Sequence, residues 1–500
     1  MNKTEKKNPI PKLHFTPLSS VLAENENMLR QAFAGAQDIV FKTLWCGKTK
    51  LLLLYGDNMV NNDAVQQAVL TNLMQRQEFG GTAQFLQENA VAVGEIKQIF
   101  SLEEAMDGVL VGDTVLLAEG DKAALQITTK GWPNRGVGEA KNEVSLQGAR
   151  DAFTEVGAFN IVLVRRRIRD PRLQVQRMRI GRRSKTDVAI LYLKDVVRQE
   201  VLAETCKKLK DIDVDAVYDG GQIQQWVEKR RWSPFPTMQL TERPDKTASA
   251  ICEGRIAILT DNSPFALLVP ATLNVFFQAA DDYYARWEVM SFTRLLRFIA
   301  AALAAGLPGL YVALAVYHPD LIPTALVLKI AEGRANVPFP TVVEVLLMEF
   351  AFELLREAGI RLPSPVSSTI GVVGGIVIGQ SAVEAGLVGP AVVILAALSG
   401  ICSFAVPNLA LVNALRLVKL FLLMMAAFVG LFGFWVGGFL LLVHLASLES
   451  FGIPYLYPFC GGEKNGGEDW KDSLWRVPLH WMKQRPIFAR QKARRRIGGK

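Results

Sequence analysis

The stretch FIAAALAAGLPGLYVALAVY, residues 298–317, decides the class of this protein. It carries no charged residue, and a helix needs about twenty apolar residues to cross the ~30 Å hydrocarbon core of a bilayer. Pro308 lies inside the run and predicts a kink, because proline removes a helical hydrogen bond. We therefore predict an integral membrane protein with a membrane-spanning helix at this position.

Three further apolar runs follow, at residues 367–387, 388–407 and 411–448. The last run is too long for one untilted span and contains four glycines, so a hairpin of two helices is one interpretation. We predict an all-α polytopic transmembrane domain over residues 263–459, with an even number of spans, four or six.

The part of the chain before this domain has a different pattern. The short apolar runs LLLLYG (residues 51–56) and DTVLLAEG (residues 113–120) predict buried strands, and helical patterns separate them. A second set of segments runs from FNIVLVRRRI at residue 159 to a long helix around residues 196–209. We predict a soluble α/β domain of two subdomains, residues 29–140 and 141–262, after a flexible N-terminal arm at residues 1–28.

The charge distribution predicts the orientation in the membrane. The chain has a net charge of +8, and residues 473–500 contain lysines and arginines but no acidic residue. A basic tail (residues 460–500) directly after an apolar domain is typical of the positive-inside rule, which we favour over binding of nucleic acid. The first twenty residues contain no apolar run of signal-peptide length. Both termini are therefore expected in the cytoplasm.

A cluster of arginines lies in the second subdomain. Its bland interpretation is a solvated face or an interface with an acidic partner, and its sharper interpretation is attraction to anionic lipid headgroups. We favour the interface. The cluster comprises Arg165, Arg166, Arg167, Arg169, Arg172, Arg177, Arg179, Arg182 and Arg183.

No pattern in the chain indicates catalysis. The five cysteines are widely spaced and form no C-x-x-C pair, which favours reduced thiols over disulfides or zinc. The four histidines are scattered, and no nucleophile motif, phosphate-binding loop or dinucleotide fingerprint is present. We expect no catalytic residue, no metal site and no cofactor, and hence no enzyme.

One helical segment, residues 338–363, is largely apolar but contains carboxylates. Glu349, Glu353 and Arg356 fall on one face of a helix, and Glu344 precedes them. Because a carboxylate in lipid costs roughly 2.5–3.5 kcal/mol, that face does not contact lipid. Two interpretations stay open: an amphipathic helix at the membrane surface, or a helix whose acidic face contacts water inside an assembly.

The next helix repeats glycine every four residues, at Gly371, Gly375 and Gly379. This small-residue pattern allows close helix packing in lipid. The opposite side carries polar groups, which favours either a pore-lining face or ordinary hydrogen bonding between helices. The candidate pore-lining residues are Val373, Val377, Gln380 and Glu384.

Several segments, in the same order along the chain, resemble a known family, the A subunits of bacterial spore germinant receptors (GerA-type spore germination proteins). They are FNIVLVRRRI (residues 159–168), TERPD (241–245), EGRIAILTDNSPFALLVP (253–270), FFQAADDYYAR (276–286), PGLYVALAVYHPDLIP (308–323), VPFPTVVEVLLMEFAFELLREAGIRLP (337–363) and GVVGGIVIGQSAVEAGLV (371–388).

This resemblance implies a subunit of a nutrient-sensing complex in the inner membrane of a dormant spore. It also implies two partners, a transporter-like B subunit and a lipoprotein C subunit, and assembly of the A subunit into a homo-oligomeric, ligand-gated ion channel. Two other functions stay open: a non-conducting membrane scaffold or signalling subunit, and a secondary transporter. A transporter would typically show inverted hydropathy repeats, which this sequence lacks.

Overall fold

The computed structural model describes residues 16–66, 95–131, 147–361, 379–460 and 466–496, with residues 71, 80–82, 84, 85, 140, 143, 145 and 375. The described residues of the first subdomain include five strands and two helices of at least nine residues. They are α1 (Leu22–Ala32), β1 (Ile39–Cys46), β2 (Thr49–Gly56), β3 (Ile96–Ile99), α2 (Leu102–Leu110), β4 (Thr114–Ala118) and β5 (Ala124–Ile127).

The first sheet is antiparallel and has the order β1-β2-β4-β5-β3. Its strand β2 confirms the buried strand predicted from LLLLYG. Leu52 and Leu54 pack with α1 and α2, while Leu51 and Leu53 lie in the core on the other face. The four consecutive leucines are all buried because successive strand residues point to opposite faces and both faces are covered.

The second subdomain has five helices and five strands. They are α3 (Gly157–Arg165), β6 (Leu173–Ile180), β7 (Thr186–Leu193), α4 (Gln199–Lys210), α5 (Gly220–Val227), β8 (Gln239–Thr241), α6 (Pro244–Cys252), β9 (Ile256–Thr260), β10 (Ala266–Val269) and α7 (Leu273–Phe277).

The second sheet repeats the topology of the first. Its order, β6-β7-β9-β10-β8, places the third strand of the subdomain at the edge beside the fifth, as in the first sheet. The subdomains meet where Gln37 donates its backbone N–H to the Val175 carbonyl over 3.2 Å. The fully buried Arg165 forms two hydrogen bonds with Asp38 at this boundary, of 2.7 and 2.9 Å.

Two boundaries differ from the sequence prediction. Residues 16–28 belong to the first subdomain instead of a flexible arm, because Leu18 and Leu22 are buried in its core. The second subdomain continues beyond residue 262, because β10 pairs with both β9 and β8. A transmembrane domain that started at residue 263 would remove an interior strand from this sheet.

The second half of the described chain is a bundle of apolar helices. They are α8 (Trp287–Val312), extended by a π-helical turn (Ala313–Tyr317), α9 (Thr324–Gly333), α10 (Thr341–Arg361), α11 (Pro390–Phe404) and α12 (Leu409–Ser447). Two helical segments, Trp287–Tyr317 and Leu409–Ser447, are long and apolar enough to cross a membrane, with mean hydropathies of 2.1 and 2.3.

Helix α12 is a hairpin, as one interpretation of the apolar run 411–448 suggested. Gly430 has non-helical dihedral angles (φ 64°, ψ −143°) and separates an outgoing arm, residues 409–429, from a return arm, residues 431–447. A Cβ atom on Gly437 would lie 3.2 Å from the Leu422 side chain, a contact impossible in a straight helix. The return arm therefore packs back along the outgoing arm.

The bundle has a domain end, where α8 begins beside the α/β domain, and a distal end, where Tyr317 donates a 2.6 Å hydrogen bond to the Ala427 carbonyl. Helix α8 and the outgoing arm run toward the distal end. Helices α10 and α11 are parallel to each other, because Glu344 near the start of α10 contacts Gly389 just before α11, and Arg356 near the end of α10 contacts Ser403 near the end of α11. Both helices run from the distal end toward the domain end.

After the hairpin, the chain returns to the α/β domain. A short antiparallel pair, β11 (Glu449–Ser450) and β12 (Ile453–Pro454), follows the return arm. The basic tail then lies against the second subdomain. Val197 and Ala489 form an isolated antiparallel bridge, and Arg485 donates a 2.9 Å hydrogen bond to the Cys252 carbonyl.

Candidate functional site inside the helical bundle

A ladder of opposite charges joins α10 to the outgoing arm of α12. Glu349 is paired with Lys419, and Glu353 is paired with Arg416. The Lys419 ammonium also lies 3.7 Å from the Glu353 carboxylate, which links the two pairs. The ladder contains two carboxylates and two cations, so its formal charge is zero.

Helical spacing explains why these four residues meet. Glu349 and Glu353 are four residues apart and share one face of α10, while Arg416 and Lys419 are three residues apart on α12. Lys419 and Glu349 keep only 13% and 11% of their side-chain surface exposed. These two charges are therefore largely removed from solvent but held beside each other, which offsets their desolvation, whereas Arg416 and Glu353 stay 31% and 30% exposed.

A third carboxylate of α10, Glu344, lies at the distal end of the helix. Its side chain is fully buried, accepts a 2.9 Å hydrogen bond from Arg334 Nε and a 2.8 Å bond from the Gly389 backbone N–H. Glu344 thus connects α10 to the end of α9 and to the residue that precedes α11. At the other end Arg356 donates to Ser403 Oγ and lies 4.9 Å from the Phe404 ring centre.

Sequence reasoning identified Glu349, Glu353 and Arg356 as one polar face but missed its partners on α12. The structure places this face against Arg416 and Lys419 in the same chain. A signal for them exists in the sequence, because these two cations are spaced by three in a run, residues 409–447, that contains no aspartate or glutamate.

The candidate pore-lining helix is described only in part. Gly371, Val373 and Val377 lie outside the described residues. Gln380 and Glu384 are exposed on the bundle surface and share a 2.8 Å hydrogen bond.

The two described glycines of that helix have different surroundings. A Cβ atom on Gly379 would lie 3.2 Å from the Val393 side chain of α11, so this position is at a close helix contact. A Cβ atom on Gly375 would meet nothing within 4 Å. The pore-lining and packing roles stay predictions.

A buried polar cluster ties the tail to the start of α8. Arg294 is fully buried and contacts the carboxylates of Asp282 at 3.0 Å and Asp472 at 2.7 Å. The Tyr283 hydroxyl donates a 2.7 Å hydrogen bond to Asp472, and burial raises the pKa of Tyr283 well above its usual range. This cluster fixes the tail to α8 and to the segment that precedes it.

The arginine cluster of the second subdomain is largely neutralised by aspartates of the same chain. The ion pairs are Arg165–Asp38, Arg167–Asp151, Arg172–Asp170, Arg172–Asp195, Arg177–Asp57, Arg179–Asp187, Arg182–Asp213 and Arg183–Asp215. A solvated face, an interface with an acidic partner and attraction to anionic lipid headgroups all stay predictions for this cluster. Among the described residues, no group of three or more histidine, cysteine, aspartate or glutamate side chains is placed to hold a metal ion.

Comparison with known protein families shows which family the chain belongs to. The family model described as Bacillus/Clostridium GerA spore germination protein matches residues 27–488. The chain belongs to this family. The match includes the first subdomain from residue 27, the second subdomain, the ladder and most of the tail, and it confirms the resemblance found in the sequence. GerA-family proteins are germinant-receptor subunits and not enzymes.

Curated relatives in the GerA family are similar over almost their whole length. Spore germination protein KA of Bacillus subtilis (strain 168) is 37% identical over 474 residues, which cover 94% of this chain and 87% of that protein. Spore germination protein B1 of the same organism is 36% identical over 472 residues, covering 94% and 97%. Spore germination protein GerLA of Bacillus cereus is 34% identical over 446 residues, covering 89% and 90%.

This chain is also similar to a solved structure. The N-terminal domain of the A subunit of the Bacillus megaterium spore germinant receptor GerK3 is 30% identical to this chain. The match covers 52% of this chain and 98% of that domain, with a TM-score of 0.42.

Proposed function

We propose that this chain is the A subunit of a nutrient germinant receptor in the inner membrane of a bacterial spore. The family match over residues 27–488 carries the proposal. The bundle supports a membrane location, because its helices present large apolar side chains outward. Ile401, Phe404, Phe428, Phe432 and Trp435 are each between 66% and 74% exposed, which suits contact with lipid and not with water.

Six membrane crossings account for the directions of the helices. Helix α8 runs outward, α10 and α11 run back, and the two arms of α12 run outward and back. Because α10 and α11 run in the same direction, the chain must cross once more between them to reach the distal end, and this crossing is the sixth. Both ends of the bundle segment then lie on the side of the α/β domain, and the positive-inside rule assigns that side to the cytoplasm.

The proposed complex also contains a transporter-like B subunit and a lipoprotein C subunit. Within this complex, several copies of this chain form a ligand-gated ion channel. The supporting observation is the exposed pair Gln380–Glu384, two polar side chains on the surface of the bundle. A carboxylate facing lipid costs roughly 2.5–3.5 kcal/mol, so Glu384 favours contact with another copy or with a water-filled path. The ladder of α10, in contrast, is already neutralised within the chain.

Ion flux from vesicles that hold the reconstituted three-subunit complex tests this function. A channel predicts release of cations when the nutrient is added, and Glu384→Gln should change the cation selectivity. Glu332→Gln, an exposed carboxylate of α9 at the same end of the bundle, is the matched control and should leave the selectivity unchanged.

Two other outcomes point to the alternative functions. Binding of the nutrient without ion release would favour a non-conducting scaffold or signalling subunit. Accumulation of the nutrient itself inside the vesicles, dependent on this chain, would favour a secondary transporter.

A further inference from the structure

Most tryptophans of this protein lie at the junction between the α/β domain and the helical bundle. The chain has nine tryptophans, and six belong to this group, which we call the junction belt. Every member is exposed by between 42% and 100% of its surface, although tryptophan is usually well buried in folded proteins. The junction belt consists of Trp226, Trp232, Trp287, Trp470, Trp475 and Trp481.

One part of the belt is the segment at residues 226–233, from the end of α5 into the following loop, beside the last turn of α12. Arg230 donates a 2.8 Å hydrogen bond to Ser447 Oγ, and Ser233 Oγ lies 2.9 Å from His444 Nε2. Both contacts are to the end of the return arm, at the domain end of the bundle. Trp232 projects from this loop and is 100% exposed.

The other part is the tail beside the first turns of α8, where Trp287 is the first helical residue. The Arg476 backbone N–H donates a 3.1 Å hydrogen bond to Ser291 Oγ, which places the neighbouring Trp475 at the start of α8. The Trp470 ring lies 5.2 Å from that of Phe459, which in turn lies 6.3 Å from Phe298 of α8. Both parts of the belt thus lie at the same end of the bundle.

Apolar side chains lie on the bundle directly beyond the belt. Phe439 and Leu442 of the return arm are 65% and 60% exposed, and Phe292 of α8 is 62% exposed. Moving from the α/β domain onto the bundle, the surface beside the belt therefore changes from polar, through indole rings, to these apolar side chains. Indole is apolar in its ring and polar at its N–H, and tryptophan concentrates where a membrane protein crosses from headgroups to hydrocarbon.

The charge of the loop identifies the kind of membrane surface. The sequence WVEKRRW at residues 226–232 contains three basic residues and one acidic residue. Lys229 is paired with Glu449, and the Arg231 guanidinium lies 5.5 Å from the Trp226 ring centre. Basic residues beside exposed indoles are attracted by anionic lipid headgroups.

From this placement we infer that the junction belt docks into the headgroup layer of an anionic lipid leaflet and fixes the α/β domain against the membrane surface. The two parts of the belt lie beside different helices at the same end of the bundle, so one planar bilayer surface can contact both parts. The inference rests on the proposal that the bundle spans the membrane.

Quenching of tryptophan emission by lipids with brominated acyl chains tests it. The full chain is reconstituted in vesicles of phosphatidylglycerol and phosphatidylcholine that contain the brominated lipid. Trp232→Phe removes a fully exposed side chain, so folding is preserved, and this variant should show a smaller quenched share of emission than the parent. Trp45→Phe is the matched control, since Trp45 is 66% exposed on β1 of the first subdomain. Removing this unquenched reporter should raise the quenched share.

A second control separates the belt from the membrane insertion on which it depends. Trp435, exposed on the return arm, should be quenched whenever the bundle spans the bilayer. If Trp435→Phe lowers the quenched share but Trp232→Phe raises it, the bundle is inserted and the belt does not contact lipid, which overturns the inference. If neither variant lowers it, the proposed membrane insertion fails as well.

The charge is tested with Arg231→Glu in the same vesicles. This variant should lower the quenched share when phosphatidylglycerol is present but not in vesicles of phosphatidylcholine alone. An equal effect in both lipids would contradict the anionic-leaflet assignment and would leave Arg231 without a role in lipid recognition.

Discussion

Four side chains, Glu349, Glu353, Arg416 and Lys419, place charges between two helices that are otherwise apolar. An ion removed from water loses several kcal/mol of solvation, and only a close opposite charge offsets this loss. The free energy of the ladder therefore depends on both partners being present. A ladder residue without its partner is more costly than a pair of apolar residues in the same positions.

We expect Lys419→Met to destabilise the folded chain by ~3–5 kcal/mol, because it leaves the Glu349 carboxylate buried without its cation. Replacing both residues, Glu349→Met with Lys419→Met, should recover most of that loss. Thermal unfolding of the purified full chain in detergent measures both effects, with the exposed Lys329→Met on α9 as control. A double variant as unstable as the single one would show that the ion pair is not the source of the loss.

Glu253 should make stability depend on pH. Burial raises the pKa of Glu253 from 4.5 to about 7, and the neighbouring Arg496 only partly opposes this. Because the folded chain then binds a proton that the unfolded chain has released, stability should fall as the pH rises from about 4.5 to about 7.

Glu253→Gln removes this titration, so the melting temperature of the variant should exceed that of the parent at pH 8 and match it near pH 5. Thermal unfolding at the two pH values measures this, and Glu200→Gln on the exposed surface of α4 serves as the control. Equal melting temperatures of variant and parent at pH 8 would contradict the prediction.

The α12 hairpin needs glycine at its turn and at the contact between its two arms. Gly430 reverses the chain with a positive φ, and a Cβ atom there would lie 2.7 Å from the Tyr317 ring. A Cβ atom on Gly433 would lie 2.1 Å from the Met425 carbonyl oxygen of the facing arm. The arms can therefore approach this closely only where side chains are absent.

Gly433→Ala should separate the two arms and destabilise the chain by at least ~1–3 kcal/mol, the usual cost of overpacking a filled site. Gly438→Ala lies in the same arm, but its Cβ atom would meet nothing within 4 Å, so it should be neutral. Thermal unfolding and the yield of monodisperse protein in detergent compare the two. Equal effects of the two substitutions would mean that helix propensity, not packing at Gly433, governs the hairpin.

The position of a short edge strand in each sheet depends on the strand that it pairs with. Strands β3 and β8 are short, with four and three residues, and each lies at a sheet edge beside the last strand of its subdomain. Their apolar patterns alone do not specify a partner, since several strands could satisfy their hydrogen bonds. The shared strand order becomes visible only when both sheets are assembled.

For the whole molecule, the contacts between the tail and the α/β domain mean that both lie on one side of the membrane that we propose the bundle to span. We expect single-cysteine variants that retain Cys252 or Cys460, both exposed, to react with an impermeant maleimide only in inverted vesicles. Asp320→Cys, in the turn after α8, should react only from the outside of intact cells. Labelling of Cys252 and Cys460 from opposite sides would require an odd number of crossings.

The sequence by itself determined the features that depend on local composition. The LLLLYG strand, the apolar runs of α8 and α11 and the length of the α12 run follow from hydropathy and periodicity, which neighbouring residues encode. The polar face of Glu349, Glu353 and Arg356 also follows from helical spacing. In the same way, the family could be inferred from the resemblance of several short segments and their order along the chain.

Only the tertiary structure decided which distant groups meet. Lys419 is 70 residues from Glu349, and Arg165 is 127 residues from Asp38. No local pattern selects these partners, because a buried charge requires an opposite charge nearby but not one at any particular distance along the chain. The same holds for the basic tail: its composition predicted the side of the membrane, whereas its position against α8 and the second subdomain depends on Arg294, Asp282 and Asp472 meeting in the fold.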